Sequence, residues 1–296
     1  MTGLAQKPQD YRAYLSSETD LAGWRNQARR ALAEDIPPER IDWHVEERSA
    51  TPDLAPHLPL PQSNTAPALH LNNQHLTVLI TALLHSDADR FALAYRLLWR
   101  MRKQPRLMGN PADRDVKRIW AMAKSVRRDI HKMHAFVRFR KVGYREDEGG
   151  KLREQFAAWF EPDHHITKHV AVFFRDRFTA MDWLIVTPRT SIAWDGQNLR
   201  AGPGGKRTDI PDSDAIEDEW RSYYRSIFNP ARLKVQTMKS EMPMKYCKNL
   251  PEAEVISVLI GDSNLRGHQT RGKVLCDAIH KPLATTSPNS IKGQTQ

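Results

Sequence analysis

Apolar positions recur at helical spacing over much of the first half of the chain. Leu21, Trp24, Ala28 and Leu32 share one face, which predicts a helix over residues 21–34 with Asp20 as its cap. Pro37-Pro38 ends that helix, and the alternation in Ile41-Asp42-Trp43-His44-Val45 predicts a short strand. Two further helices are predicted over residues 73–84 and 87–101, broken at His85-Ser86. The most regular pattern lies between residues 113 and 133. There Val116, Ile119, Trp120, Ala123, Val126, Ile130 and Met133 recur every three or four positions.

At about 100° per residue, Arg114, Lys117, Arg118, Lys124, Arg128 and Lys132 occupy the opposite arc of this helix. Arg127 falls beside Trp120 and Ala123 on the apolar stripe, so a buried position with a carboxylate partner is expected for it. The pattern then changes period. Val137 and Phe139 alternate with Arg138 and Arg140, predicting a strand over residues 136–142, and a second strand is expected over 155–161. A helix over 164–178 with Asp163 as its cap follows. Strands are then expected at 183–187, at 191–194 and near Leu199, the last reached through an Asp195-Gly196 turn. Beyond Gly202-Pro203-Gly204-Gly205, helices are expected at 214–228, 230–238 and 253–260.

The resulting fold class is α+β: a helix-rich single domain with a small antiparallel or mixed sheet at about residues 135–200. An N-terminal helix–strand segment (1–48) and a Pro-rich connection (49–67) precede the main domain (68–260), and a polar tail (261–296) follows it.

Charge sharpens this picture. Between Tyr95 and Arg145 there are sixteen Lys and Arg against Asp113, Asp115 and Asp129, a local excess of +13 where the whole chain carries +10. Such a concentration calls for an anionic partner, and the segment's Trp99, Trp120, Phe136 and Phe139 make it a folded region and not a basic tail. The two cysteines, Cys247 and Cys276, are too few for a disulfide framework. With no apolar run of membrane-spanning length, a protein of the reducing cytoplasm with no membrane partner is expected.

Several ordered blocks carry a family likeness. They include Tyr95-Arg96-Leu97-Leu98-Trp99-Arg100, the run from Ala123-Lys124-Ser125 to His131-Lys132-Met133, and Ala135-Phe136-Val137-Arg138-Phe139-Arg140. Trp159-Phe160-Glu161-Pro162-Asp163-His164, Thr187-Pro188, Trp194-Asp195-Gly196, Gly202-Pro203-Gly204, Tyr223-Tyr224, Asn229-Pro230-Ala231-Arg232, Glu241-Met242-Pro243 and Asn249-Leu250-Pro251-Glu252-Ala253 belong to the same set. In these the chain resembles a family of DNA repair or DNA metabolism proteins of unknown function. Members stand alone beside a radical SAM protein gene or form the N-terminal half of chains ending in a UdgX-type uracil-DNA glycosylase domain. The resemblance implies the stand-alone form without the glycosylase half, so the uracil chemistry of that half is not carried over. It implies DNA as a partner, together with a radical SAM protein or a uracil-DNA glycosylase.

Among candidate sites the basic arc comes first. Arg114, Lys117, Arg118, Lys124, Arg128 and Lys132, extended by Arg138 and Arg140, could neutralise a row of phosphates; the plain alternative is a solvated helix face. Glu161, Asp163 and His164 form the strongest polar cluster, able in principle to bind an anion or move a proton, though a helix cap explains the same residues. His165 and His169 stand at i, i+4 but lack the glutamate of hydrolytic zinc helices, so no metal or other cofactor is expected. The sequence thus predicts a DNA-binding accessory protein acting beside a partner enzyme. Two alternatives remain open: an enzyme acting on damaged nucleobases or nucleotides, and a scaffold for a radical SAM protein.

Overall fold

The computed structural model describes residues 11–46, 58–61, 71–147, 149–150, 152–210 and Tyr246. The helices expected beyond residue 210, the tail, both cysteines and most of the Pro-rich connection lie outside the described residues. The fold is α+β with helices dominating, as the periodicity predicts. The chain forms two compact units, one of residues 1–135, 162–180 and 187–205, the other of 136–161, 181–186 and 206–296.

The first unit starts with strand β1 (Tyr11–Leu15), helix α1 (Leu21–Ala33) and strand β2 (Ile41–Val45). Asp20 caps α1 as predicted, its side chain accepting the Gly23 N–H at 2.7 Å. The parallel pairing of β1 with β2 places Arg12 opposite Asp42, and the two side chains form an ion pair at 2.7 Å. Strand β3 (Leu58–Pro59) adds to the other edge of β1, inside the segment expected to be an exposed connection. The alternation Tyr11, Ala13, Leu15 predicts β1 only weakly, because it spans five residues and the intervening Arg12 and Tyr14 differ in polarity.

Helices α2 (Asn73–Ala82), α3 (Arg90–Met101) and α4 (Arg114–Phe136) complete this layer. One apolar core runs through α1, both flanking strands, α2, α3 and the first half of α4, with Trp24, Phe91, Tyr95 and Ile119 buried in it. Two polar handles fix its geometry: Trp24 Nε1 donates to the Phe91 carbonyl at 3.2 Å, and the Tyr95 hydroxyl donates to the Ile36 carbonyl at 2.6 Å. The N-terminal segment is therefore part of the same core as α2 to α4.

The chain returns to the first unit with helix α5 (Thr167–Arg177) and the antiparallel hairpin of β7 (Thr190–Trp194) and β8 (Leu199–Pro203). Asp195 builds the hairpin turn by accepting the N–H groups of Gln197 and Asn198, and Gly196 has φ 91°. At Gly204 the backbone passes so close to Pro188 that a Cβ would lie 2.2 Å from its carbonyl oxygen. Gly204→Ala is expected to lower stability by about 1–3 kcal/mol, the usual range for overpacking, with the loss read from thermal melts.

In the second unit, β4 (Arg140–Glu146) pairs antiparallel with β5 (Leu152–Trp159), and β5 pairs parallel with β6 (Asp182–Val186), so this sheet is mixed. Buried Asp182 holds both Arg145, at 2.6 Å, and Arg153, at 2.7 Å. Phe160 stacks on Tyr246 with ring centroids 4.8 Å apart.

Candidate functional site

The basic arc of α4 sits on a helix whose opposite face is core. Val116, Ile119, Met122, Ala123, Val126, Asp129 and Met133 are buried. That arc is rotated away from the predicted stripe: Met122 and Asp129 belong to it, whereas Trp120 is only half-buried. Arg127 is consequently exposed, with no ion pair among the described residues, and the expected buried Arg127–carboxylate pair does not form. The buried charged residue of α4 is Asp129, whose carboxylate accepts the His164 backbone N–H at 2.9 Å.

The segment's charge is partly neutralised from within. Arg96 of α3 grips Asp115 with two hydrogen bonds of 2.9 Å. Arg100 binds both Asp113 and Asp115, and its guanidinium holds the Asp113 carboxyl down to about 2. Asp113 also caps α4, accepting the Val116 N–H at 3.1 Å. Arg118 turns to Asp87 at 2.7 Å and Asp89 at 3.2 Å and so leaves the group of unneutralised cations. Arg128 is exposed and Lys132 half-buried. Arg114, Lys117 and Lys124 are exposed and make no ion pair among the described residues. Within α4 these three spread over ten residues, about 15 Å of helix.

The proposed extension through Arg138 and Arg140 changes. The helix continues to Phe136 and the strand begins only at Arg140, which is 7% exposed; Arg138 is half-buried. The extra helical turn resets the alternation, so these two arginines do not form an exposed row and Arg140 is removed from the phosphate-facing set.

The second feature of the first unit is a cleft of about 590 Å³ whose walls include Glu18, His164, His165, Thr167, Lys168, Arg189 and Gly202. Its floor is fixed by the docking of residues 163–165 against the turn after α2. The His165 N–H donates to the Leu84 carbonyl at 2.9 Å. The Ser86 N–H donates to His164 Nδ1 at 3.2 Å, so the neutral ring carries its proton on Nε2, which donates to Ser125 Oγ at 2.8 Å. With both ring nitrogens and its backbone N–H engaged, buried His164 positions the entry to α5. Asp163, expected to cap α5, is exposed and lends its carbonyl to Arg189 Nη1 at 3.5 Å. Helix α5 instead starts after Ile166, with no side-chain cap. Glu161 lies in the second unit and accepts from Trp159 Nε1 at 3.2 Å. The three residues expected to act together therefore have three separate tasks.

Behind the cleft wall lies Arg90, fully buried. Its guanidinium donates to the carbonyls of Leu83 at 2.8 Å, Asp87 at 3.1 Å and Glu18 at 3.0 Å, and pairs with the Glu18 carboxylate. Glu18 Oε2 in turn lies 3.7 Å from His165 Nε2. Sequence reasoning missed this pair; the available signal was an arginine on the apolar arc of α3.

His85 packs against His164 with centroids 4.2 Å apart and the rings tilted by 33°, and it accepts the Asp87 N–H at 3.0 Å. Burial first, then His164, with Arg90 and Arg118 adding and Asp87 opposing, pulls His85 down to about 4. The ring stays neutral in the folded protein at pH values where the unfolded chain, with its ordinary value of 6.5, takes up a proton. Stability is therefore expected to fall as pH drops from about 6.5 towards 4, and His85→Asn should flatten that part of a melting-temperature profile. A profile unchanged by the substitution would place the dependence elsewhere.

Among the described residues no group of three or more His, Cys, Asp or Glu is placed to hold a metal ion. No described helix is long and apolar enough to cross a membrane. A model of the family described as a domain of unknown function, DUF4130, matches residues 88–252, more than half of the 296-residue chain. The chain belongs to this family. The match begins just before α3 and covers the whole of α3, α4, α5 and strands β4 to β8, and so includes the basic arc and most of the cleft, but not Glu18. No curated protein and no solved structure matches the chain.

Proposed function

We propose that the basic face of α4 binds nucleic-acid phosphates and that the protein serves DNA repair or metabolism as a binding partner of an enzyme. The supporting observation is the set of exposed cations at Arg114, Lys117 and Lys124, joined by exposed Arg127 and Arg128, on a helix whose other face is locked into the core. A rigid helix presents these charges at fixed spacing, so little side-chain and backbone order is lost on binding. Asp113 and Asp115, which flank Arg114, are already occupied by Arg96 and Arg100 and do not quench the row. Cations so arranged neutralise phosphates without reading base sequence, because base readout needs side chains aimed at base edges.

The sequence resemblance to chains carrying a glycosylase half, or encoded beside a radical SAM protein, supplies the partner class in this proposal. In it the chain contributes the DNA-holding surface and the partner contributes the reaction. The test is fluorescence anisotropy with labelled single- and double-stranded oligonucleotides over a salt series. A log–log slope of about −3 or steeper on the duplex is expected, since each neutralised phosphate contributes about −0.9. A slope near zero, or no binding at low salt, would overturn it.

A further inference from the structure

The cleft in the first unit has a charge pattern that the basic arc of α4 does not explain. Its walls come from four separate stretches: Glu18 and Thr19 ahead of α1, Pro162, His164, His165, Thr167 and Lys168 around the start of α5, Arg189 and Thr190 at the start of β7, and residues 201–203 of β8. A concavity of about 590 Å³ lies within the range of about 300–1,000 Å³ usual for small-molecule sites.

Three contributions set its electrostatics. Among the described residues of its wall the one carboxylate, Glu18, is matched by Arg90, whose side chain is wholly buried, so the pair adds no net charge. Lys168 and Arg189 are both exposed on the cleft wall and leave it positive. The eleven-residue helix α5 begins in the same wall, where Ile166 provides no capping side chain, so the positive end of the helix adds to these two cations. The Glu18 carboxylate and His165 face the same space, and a carboxylate held by a buried arginine is a fixed acceptor for a hydroxyl or amine.

From this combination we infer that the cleft binds a sugar phosphomonoester, for which 5′-AMP is the probe, its phosphate held by Lys168 and Arg189 and its sugar hydroxyl donating to Glu18. No described residue of α4 lines the cleft, so the site is distinct from the DNA-binding surface proposed for α4. Lys168 and Arg189 are exposed side chains whose truncation leaves the core intact.

Isothermal titration with 5′-AMP, inorganic phosphate and adenosine tests the assignment on the full chain. AMP is expected to bind, inorganic phosphate to bind at least about tenfold more weakly, and adenosine to show no heat at the same concentrations. Lys168→Ala and Arg189→Ala are each expected to weaken AMP about tenfold, the loss typical of one charge-assisted contact. Arg114→Glu/Lys117→Glu/Lys124→Glu should leave AMP binding within about twofold at physiological salt, where the Debye length is about 8 Å. Absence of AMP binding at about 10 mM, adenosine binding equal to AMP, phosphate binding equal to AMP, or wild-type affinity in both alanine variants would each overturn the inference. Absence of DNA binding by the wild-type chain with AMP binding intact would count against the α4 proposal alone.

Discussion

Arg90→Met is expected to cost about 3–5 kcal/mol of stability, the largest loss anticipated from any single substitution in the first unit. The wild-type guanidinium is fully buried and ties together three stretches of chain: the end of α2 through Leu83, the turn before α3 through Asp87, and the segment before α1 through Glu18. Methionine fills similar volume, so the loss comes from chemistry and not from a cavity. Three carbonyls lose a donor and the Glu18 carboxylate loses its counter-charge next to His165. The companion variant Glu18→Gln/Arg90→Met removes the stranded charge and should recover at least about 1 kcal/mol relative to Arg90→Met, as expected for groups in direct contact. Urea denaturation followed by near-UV circular dichroism reads both. A loss below about 1 kcal/mol for Arg90→Met would mean that this ion pair does not organise the unit.

Much of this architecture is legible in the sequence because local signals coincide with tertiary demands. Asp20, the 3.6-residue repeat of α1 to α4 and the Asp195-Gly196 turn each act within a few residues, and each is found where the pattern predicts it. The errors arise where a long-range contact decides. Arg127 lies at the margin of the apolar stripe, and the true buried arc is settled by Asp129, which anchors the His164 backbone from 35 positions away. Asp163 has the chemistry of a helix cap, yet residues 163–165 are drawn onto the turn at 84–86 and α5 starts later. Arg140 looks like one of a row of surface cations until α4 runs one turn further and the strand begins on a buried position. The cleft was beyond reach because Glu18, Arg90, Lys168 and Arg189 are brought together only by the fold, and none belongs to a local motif.

The same long-range pairing redefines which cations of the +13 segment are free to meet a polyanion. Arg96, Arg100, Arg102 and Arg118 are held by Asp115, Asp113, Asp35 and Asp87 respectively. Charge reversal of three exposed α4 cations without ion pairs among the described residues, Arg114→Glu/Lys117→Glu/Lys124→Glu, is therefore expected to lower duplex DNA affinity by more than about 30-fold near 0.1 M salt. All three are exposed, so the fold should survive. The same reversal at Arg118 would strand Asp87 and Asp89 beside a new carboxylate and confuse a binding loss with a folding loss.

The most direct measurement is the salt dependence of duplex binding by wild type and this triple variant, side by side. The wild-type log–log slope should be about −3 or steeper, and the variant slope should be shallower by about 2.7, since each phosphate contact contributes roughly −0.9. Equal slopes and equal affinities in the two proteins would contradict the assignment of α4 as the nucleic-acid surface.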